Sequence, residues 1–237
     1  MRRHPRRRAA RRDHGRGEED GRQVTVPSEK GAAVGRRIGI GLMYGLFKPR
    51  VLGAWRVPAS GPAILAVNHA HNIDGPMLMG TAPRPVHFLI KKEAFVGPLG
   101  SFLEGIGQLK VDRHGADRNA IGNALGVLEQ GGVLGIFPEG TRGDGDFASL
   151  RAGLAYFAVR SGAPIVPVAV LGSTERRGRL VKALPPLRGR VDVVFGDAFD
   201  AGDGTGRRTR KALDEATVRI QGKLTDHLEN ARRLTGR

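Results

Sequence analysis

From about residue 50 onward, short apolar runs rich in β-branched residues alternate with stretches whose apolar positions recur every three or four residues. The runs at 51–57, 63–67, 86–90, 108–111, 133–137, 165–171 and 191–195 are bounded by Gly, Pro or polar residues and predict buried strands. Between them, Ile121, Ala124, Leu125 and Leu128 share one face of a predicted helix over 117–130, which Gly131 stops. Leu154, Ala155, Phe157 and Ala158, followed by Gly162, mark a second helix. Leu213, Ala216, Ile220, Leu224 and Leu228 form the apolar stripe of a third, over 208–233. This alternation predicts the α/β class: a single domain with a largely buried mixed or parallel sheet flanked by helices. Ligands of such sheets gather at the loops beyond the strands' carboxyl ends.

Upstream the pattern changes twice. Residues 1–22 hold nine arginines against four carboxylates and no large apolar side chain after Met1, which predicts a disordered tail. The tail also lacks the apolar centre of a secretory signal peptide. Residues 38–47 are uncharged and mostly apolar, bracketed by Arg36, Arg37, Lys48 and Arg50. As a helix this stretch would be about 15 Å long, half of the ~30 Å hydrocarbon core, so it cannot span a bilayer. Segment 31–50 is therefore expected to lie against a membrane surface, apolar residues in the acyl boundary and cations on phosphates. Packing on the protein's own core would leave a similar pattern. Residues 51–237 then form the main domain.

Charge sharpens the picture: 39 Lys and Arg against 23 Asp and Glu give a net +16, which favours anionic partners. The absence of cysteine excludes disulfides, thiolate metal sites and a cysteine nucleophile.

Three strand-end loops carry candidate chemistry. In the first, Asn68-His69-Ala70-His71-Asn72-Ile73-Asp74, a turn at His69 and a helix starting near Asp74 would fold the carboxylate back onto the imidazole. A carboxylate on one ring nitrogen fixes the tautomer and leaves the other to accept a proton, so His69 is a candidate general base. Taken alone, the loop reads equally as an Asp74 N-cap beside a polar histidine. In the second, Phe137-Pro138-Glu139-Gly140-Thr141-Arg142, Gly140 allows close backbone approach, Arg142 offers a planar fork for phosphate and Thr141 a hydroxyl. Glu139 is expected to orient the arginine or bind an acceptor hydroxyl. The third, which contains Lys110 and Arg113, adds cations.

Together these blocks resemble the glycerolipid acyltransferases, specifically the 1-acyl-glycerol-3-phosphate (lysophosphatidate) acyltransferase family. The family's Asn-His, four residues, Asp signature is matched by Asn68, His69 and Asp74, and its Phe-Pro-Glu-Gly-Thr-Arg block at every position from Phe137 to Arg142. Gly107 to Arg113 and the proline-interrupted strand at 163–168 resemble its other blocks, and the likeness covers roughly residues 50–200. His71 departs from it, since members often carry serine there.

The resemblance implies transfer of a fatty acyl group from a thioester, acyl-CoA or acyl carrier protein, to the hydroxyl of lysophosphatidate in phospholipid biosynthesis. Glycerol 3-phosphate or another lysophospholipid are alternative acceptors. It implies His69 and Asp74 as catalytic residues, and Arg142, Arg113, Lys110, Glu139, Gly140 and Thr141 around the substrate phosphate. It implies no metal and no cofactor beyond the thioester donor. The expected partners are the donor, the lysophospholipid and an anionic membrane surface. The expected location is the cytoplasmic face of a membrane, peripheral and without a span. A metal-dependent hydrolase built on His69-x-His71 and Asp74 would lack further paired ligands. A nucleic-acid binder would explain the charge, yet stacking aromatics are scarce and Trp55 is the one tryptophan. A second basic stretch (Arg176, Arg177, Arg179, Lys182, Arg188, Arg190) suits the phosphates of CoA, an acidic carrier protein or anionic lipid.

Overall fold

The strands Lys48–Leu52 (β1), Ala63–Val67 (β2), Val86–Lys91 (β3), Leu109–Val111 (β4), Val133–Ile136 (β5), Ile165–Leu171 (β6) and Arg190–Phe195 (β7) join in one seven-stranded sheet. The structure is a computed structural model and describes residues 25–113, 115, 117–140, 144–173, 186–202 and 209–237. The expected disordered tail and most of the basic stretch at 176–190 lie outside those residues. The strand order is β1-β7-β6-β2-β5-β3-β4. Every pairing is parallel except β6 with β7, so β1 and β7 run against the other five strands and the sheet is mixed.

The helices are Glu29–Leu46 (α1), Asp74–Thr81 (α2), Gly97–Gly105 (α3), Arg118–Glu129 (α4), Gly153–Ser161 (α5) and Arg210–Thr235 (α6). The alternation of strand side chains divides the core in two. On one face Ile64, Leu134 and Ala169 pack against Leu128 of α4, Leu154 and Phe157 of α5, and Ile220 and Leu224 of α6. On the other, Leu65, Val67, Val166 and Val193 pack against Met43 of α1 and Met77 and Leu78 of α2. β2 and β6 are buried along their whole length, as their unbroken apolar sequences require.

Two elements differ from the sequence expectation. The strand expected at 51–57 starts earlier, at Lys48, and stops at Leu52, because Gly53 turns the chain at φ 72 into a short 3₁₀ helix, Ala54–Arg56. A Cβ at Gly53 would strike the carbonyl of Phe195 and the Arg56 guanidinium, so this turn requires glycine. α3 is a helix the apolar periodicity missed, since it is short and carries three glycines and a proline.

α1 combines both readings of the segment around 38–47. Its inner stripe, Ala32, Gly35, Gly39 and Met43, is buried. A Cβ on Gly39 would lie 3.0 Å from Gly80 N, so α1 and α2 cross backbone to backbone. Val34, Ile38, Leu42 and Leu46, one turn apart on the outer side, stay exposed, Leu42 to 51%. No helix among the described residues is long and apolar enough to cross a membrane.

Candidate active site

Asn68 directly follows β2 and is buried. Its side-chain amide bonds both backbone groups of Val170 on β6, Oδ1 accepting from N at 2.7 Å and Nδ2 donating to O at 3.1 Å. A side chain thereby adds a further rung to the β2–β6 ladder and fixes where the next loop leaves the sheet.

That loop is closed by Asp74, the first residue of α2 and fully buried. Asp74 Oδ2 accepts from Ala70 N at 2.9 Å and His71 N at 2.6 Å, and lies 3.2 Å from His69 Nδ1. A helix N-terminus favours a carboxylate there. With Nδ1 donating to Asp74, His69 Nε2 carries the lone pair that accepts a proton. The imidazole stacks on Phe137, with ring centroids 4.1 Å apart, and its side chain is 19% exposed, so substrate can reach it. His71 turns its Nδ1 to the backbone N–H of Ile73 within the same loop. Among the described residues no three His, Asp or Glu side chains converge as metal ligands do.

Beyond β5, a tight turn is closed by Gly140 N donating to Phe137 O at 3.0 Å, and Gly140 takes φ 73. Glu139 points back into the protein rather than toward a ligand. Its Oε1 accepts from Phe147 N at 3.2 Å, and the backbone N–H of His69 faces the same carboxylate. Burial pushes the Glu139 carboxyl above its ordinary value, against the lowering effect of the Phe147 donor. Asp146 raises it further, while the His69 donor opposes the rise. Glu139 therefore ties three segments together: the Gly140 turn, the His69 loop and Phe147, whose buried ring belongs to the α4–α6 core. Thr141 and Arg142 lie outside the described residues.

The loop after β4 brings Arg113 to this turn, where Nη1 donates to Gly140 O at 2.7 Å. Asp117 steadies the loop by accepting from Asp112 N and Ala120 N, each at 2.9 Å, and these donors hold its carboxyl below the ordinary value. Lys110 is not brought to the site. Strand alternation sends it to the opposite face from Leu109 and Val111, where it lies 3.4 Å from Glu104 and over the Phe95 ring.

A cavity of about 260 Å³ opens beside the turn, lined by Arg113, Phe137, Gly140 and Leu154 among others, and by Arg151. Arg151 was not singled out in the sequence. Its position depends on the chain returning to the turn, where Arg151 N donates to Pro138 O at 2.9 Å.

A histidine oriented by a carboxylate, with cations one aromatic ring away, at the carboxyl ends of parallel strands, is an arrangement suited to moving a proton beside a bound anion. The acyltransferase family model matches residues 48–171, over half of the chain, and the chain belongs to that family. It is 28% identical over 183 residues to the 1-acyl-sn-glycerol-3-phosphate acyltransferase of Bacillus subtilis (strain 168), covering 76% of this chain and 88% of that protein. It is 33% identical over 140 residues to the protein of the same name from Limnanthes alba, covering 53% of this chain and 50% of that one. The crystal structure of the 1-acyl-sn-glycerophosphate (LPA) acyltransferase PlsC from Thermotoga maritima shares the fold. The TM-score is 0.63 at 22% identity, covering 88% of this chain and 79% of that one.

Proposed function

We propose that the protein transfers an acyl group from an acyl thioester to the free hydroxyl of lysophosphatidate, giving phosphatidate. The observation that carries this reading is the His69–Asp74 pair, set across Phe137 from Arg113 and the Gly140 turn. The names of the relatives support the choice of acceptor. His69 Nε2 takes the proton of the acceptor hydroxyl as its oxygen attacks the thioester carbonyl carbon. The new C–O bond forms, the C–S bond breaks, and the imidazolium returns its proton to the departing thiolate. Asp74 holds the tautomer and stabilises the imidazolium, so no covalent acyl-enzyme is needed. Such base catalysis is worth ~10²–10⁴-fold, and positioning supplies much of the remainder. Arg142 and Arg113, with Gly140 and Thr141, hold the acceptor phosphate, while Glu139 secures the loop that carries the base.

The acceptor is a lipid, so the reaction belongs at a membrane surface. The exposed stripe Val34, Ile38, Leu42 and Leu46, with Arg37 and Lys48 exposed beside it, supports peripheral docking of α1 on anionic lipid.

The test is thiol release from a long-chain acyl thioester in mixed micelles, with acyl-CoA and acyl carrier protein as separate donors. Turnover that requires lysophosphatidate and falls at least ~10²-fold in His69→Ala is expected. Acceptor-independent thiol release, or an active His69→Ala, would overturn the reading.

A further inference from the structure

Arg151 occupies an unusual place. The residue stands just before α5, yet its side chain lies over the backbone of Gly140, in the space a side chain there would need. A Cβ on Gly140 would overlap Arg151 Nε and Cδ and come within 3.1 Å of Cζ. Arg113 approaches the same residue through the Gly140 carbonyl. Two guanidiniums therefore bracket one glycine of the turn that follows β5.

Neither is neutralised by a described residue. Among the described residues Arg113 and Arg151 meet no carboxylate, whereas Arg50, Arg190 and Arg237 all reach Asp192 and Arg56 reaches Asp197. Two like charges held beside one peptide repel each other, and a dianion between them would reverse the sign of that interaction. Both arginines are exposed, while Leu154 and Phe157 of the same cavity are buried, so the cations stand at its solvent side. At about 260 Å³ the cavity suits a headgroup rather than a long acyl chain. Phe137 is shared between the cavity wall and the His69 stack, so a group held here lies one ring from the base.

We infer that Arg151 is a binding arm for the acceptor's phosphate, and that with Arg113 it selects a phosphate monoester over phosphodiester and uncharged acceptors. A monoester carries a charge of about −1.5 to −2 and three acceptor oxygens, enough for two planar forks at once. A diester carries one charge and two such oxygens, and a monoacylglycerol neither. Gly140 is glycine at this position partly because Arg151 fills the space beside it. The inference rests on the acyl-transfer reading for the identity of the acceptor, but not for the existence of the clamp.

The experiment measures binding and turnover separately on the full chain. Binding of 1-octanoyl lysophosphatidate below its micellar concentration is titrated by calorimetry, with 1-octanoylglycerol, the octanoyl lysophosphatidylcholine and inorganic phosphate as comparison ligands. Wild type should prefer the monoester. Arg151→Gln should lose ~10–100-fold of that preference, with binding of 1-octanoylglycerol unchanged, and Arg151→Lys should keep part of it. Gly140→Ala, which displaces Arg151 without removing its charge, should reproduce the loss in protein whose thermal melt shows it folded. The clamp is overturned if Arg151→Gln binds the monoester as wild type does, if it loses both lipids equally, or if wild type shows no monoester preference. It is also overturned if the preference is matched in full by inorganic phosphate with no gain from the lipid. Turnover judges the other reading: monoester binding without acyl transfer would leave the clamp standing and overturn the acyltransferase assignment.

Discussion

Asn68 shows how much a single side chain can set at this site. Its amide satisfies two buried backbone groups of Val170, and His69 follows it in the chain. Asn68→Leu would leave both groups unpaired in the core, at ~1–3 kcal/mol for each. Urea unfolding should show a loss of that order, and acyl transfer should fall with it as the His69 loop shifts. Unchanged stability would show that Val170 finds other partners. Glu139 works in the opposite electrostatic sense. Its carboxyl is raised in the folded state, so its contribution to stability is full below the ordinary carboxylate range and is lost as pH rises through the raised value. Glu139→Gln lacks this titration. The stability of the variant relative to wild type should therefore improve as pH rises from 4 to 7 in urea titrations, and a constant difference would contradict the burial argument.

At this scale the sequence was partly legible. The spacing of His69 and Asp74, together with the helix start at Asp74, was enough to propose their contact. The role of Glu139 was not, because its partners Phe147 and His69 come from segments that meet only in the folded chain. Lys110 was misplaced for want of one step: it alternates with Leu109 and Val111, both apolar, and so must face away from them.

Among the elements, α1 is the one whose meaning changed most. Glycine at 35 and 39 reads as weakness in an isolated helix. In the fold, Gly39 lets α1 meet α2 at Gly80, and the gain in contact offsets the lower propensity. The inner stripe being so used, the outer aliphatic stripe is left for another surface. Leu42→Asp, on the outer stripe, should leave the melting temperature within a few degrees of wild type. It should markedly reduce co-flotation with vesicles containing phosphatidylglycerol. A folded Leu42→Asp that floats as wild type does would exclude α1 as the lipid contact. The strands were legible almost to the residue where apolar runs are unbroken, as in β2 and β6. They were less so at β1, where the Gly53 turn overrides the apolar continuation to Val57.

For the molecule as a whole, composition and periodicity gave the layers but not the direction of each strand. An apolar run has no polarity, and the reversal of β1 and β7 emerges only from pairing. Two histidines, His87 buried and His227 half-buried, each hold a backbone carbonyl. His87 bonds the Gly107 carbonyl, and His227 of α6 bonds the Val194 carbonyl. Burial lowers the pKa of both below the ordinary value of 6.5. Their contribution to stability is thus complete above that value and is lost as pH falls through the lowered values. Thermal melts should show the midpoint dropping between pH 7 and 5, with a shallower drop in a His87→Gln, His227→Gln double variant. An equal drop in both proteins would assign the acid sensitivity elsewhere.

The reversal of β1 and β7 has a geometric consequence for how a lipid would reach His69. Because β1 runs against β2, the end of α1 at Leu46 arrives on the same rim of the sheet as His69, three strands away. At ~4.8 Å per strand that is a lateral span of ~14 Å, shorter than an extended long-chain acyl tail. A lysolipid whose headgroup slides along the rim to His69 could therefore keep the far end of its tail among its neighbours. If α1 docks on the leaflet and His69 acts as proposed, acylation requires a lipid to lean out of the leaflet, not to leave it.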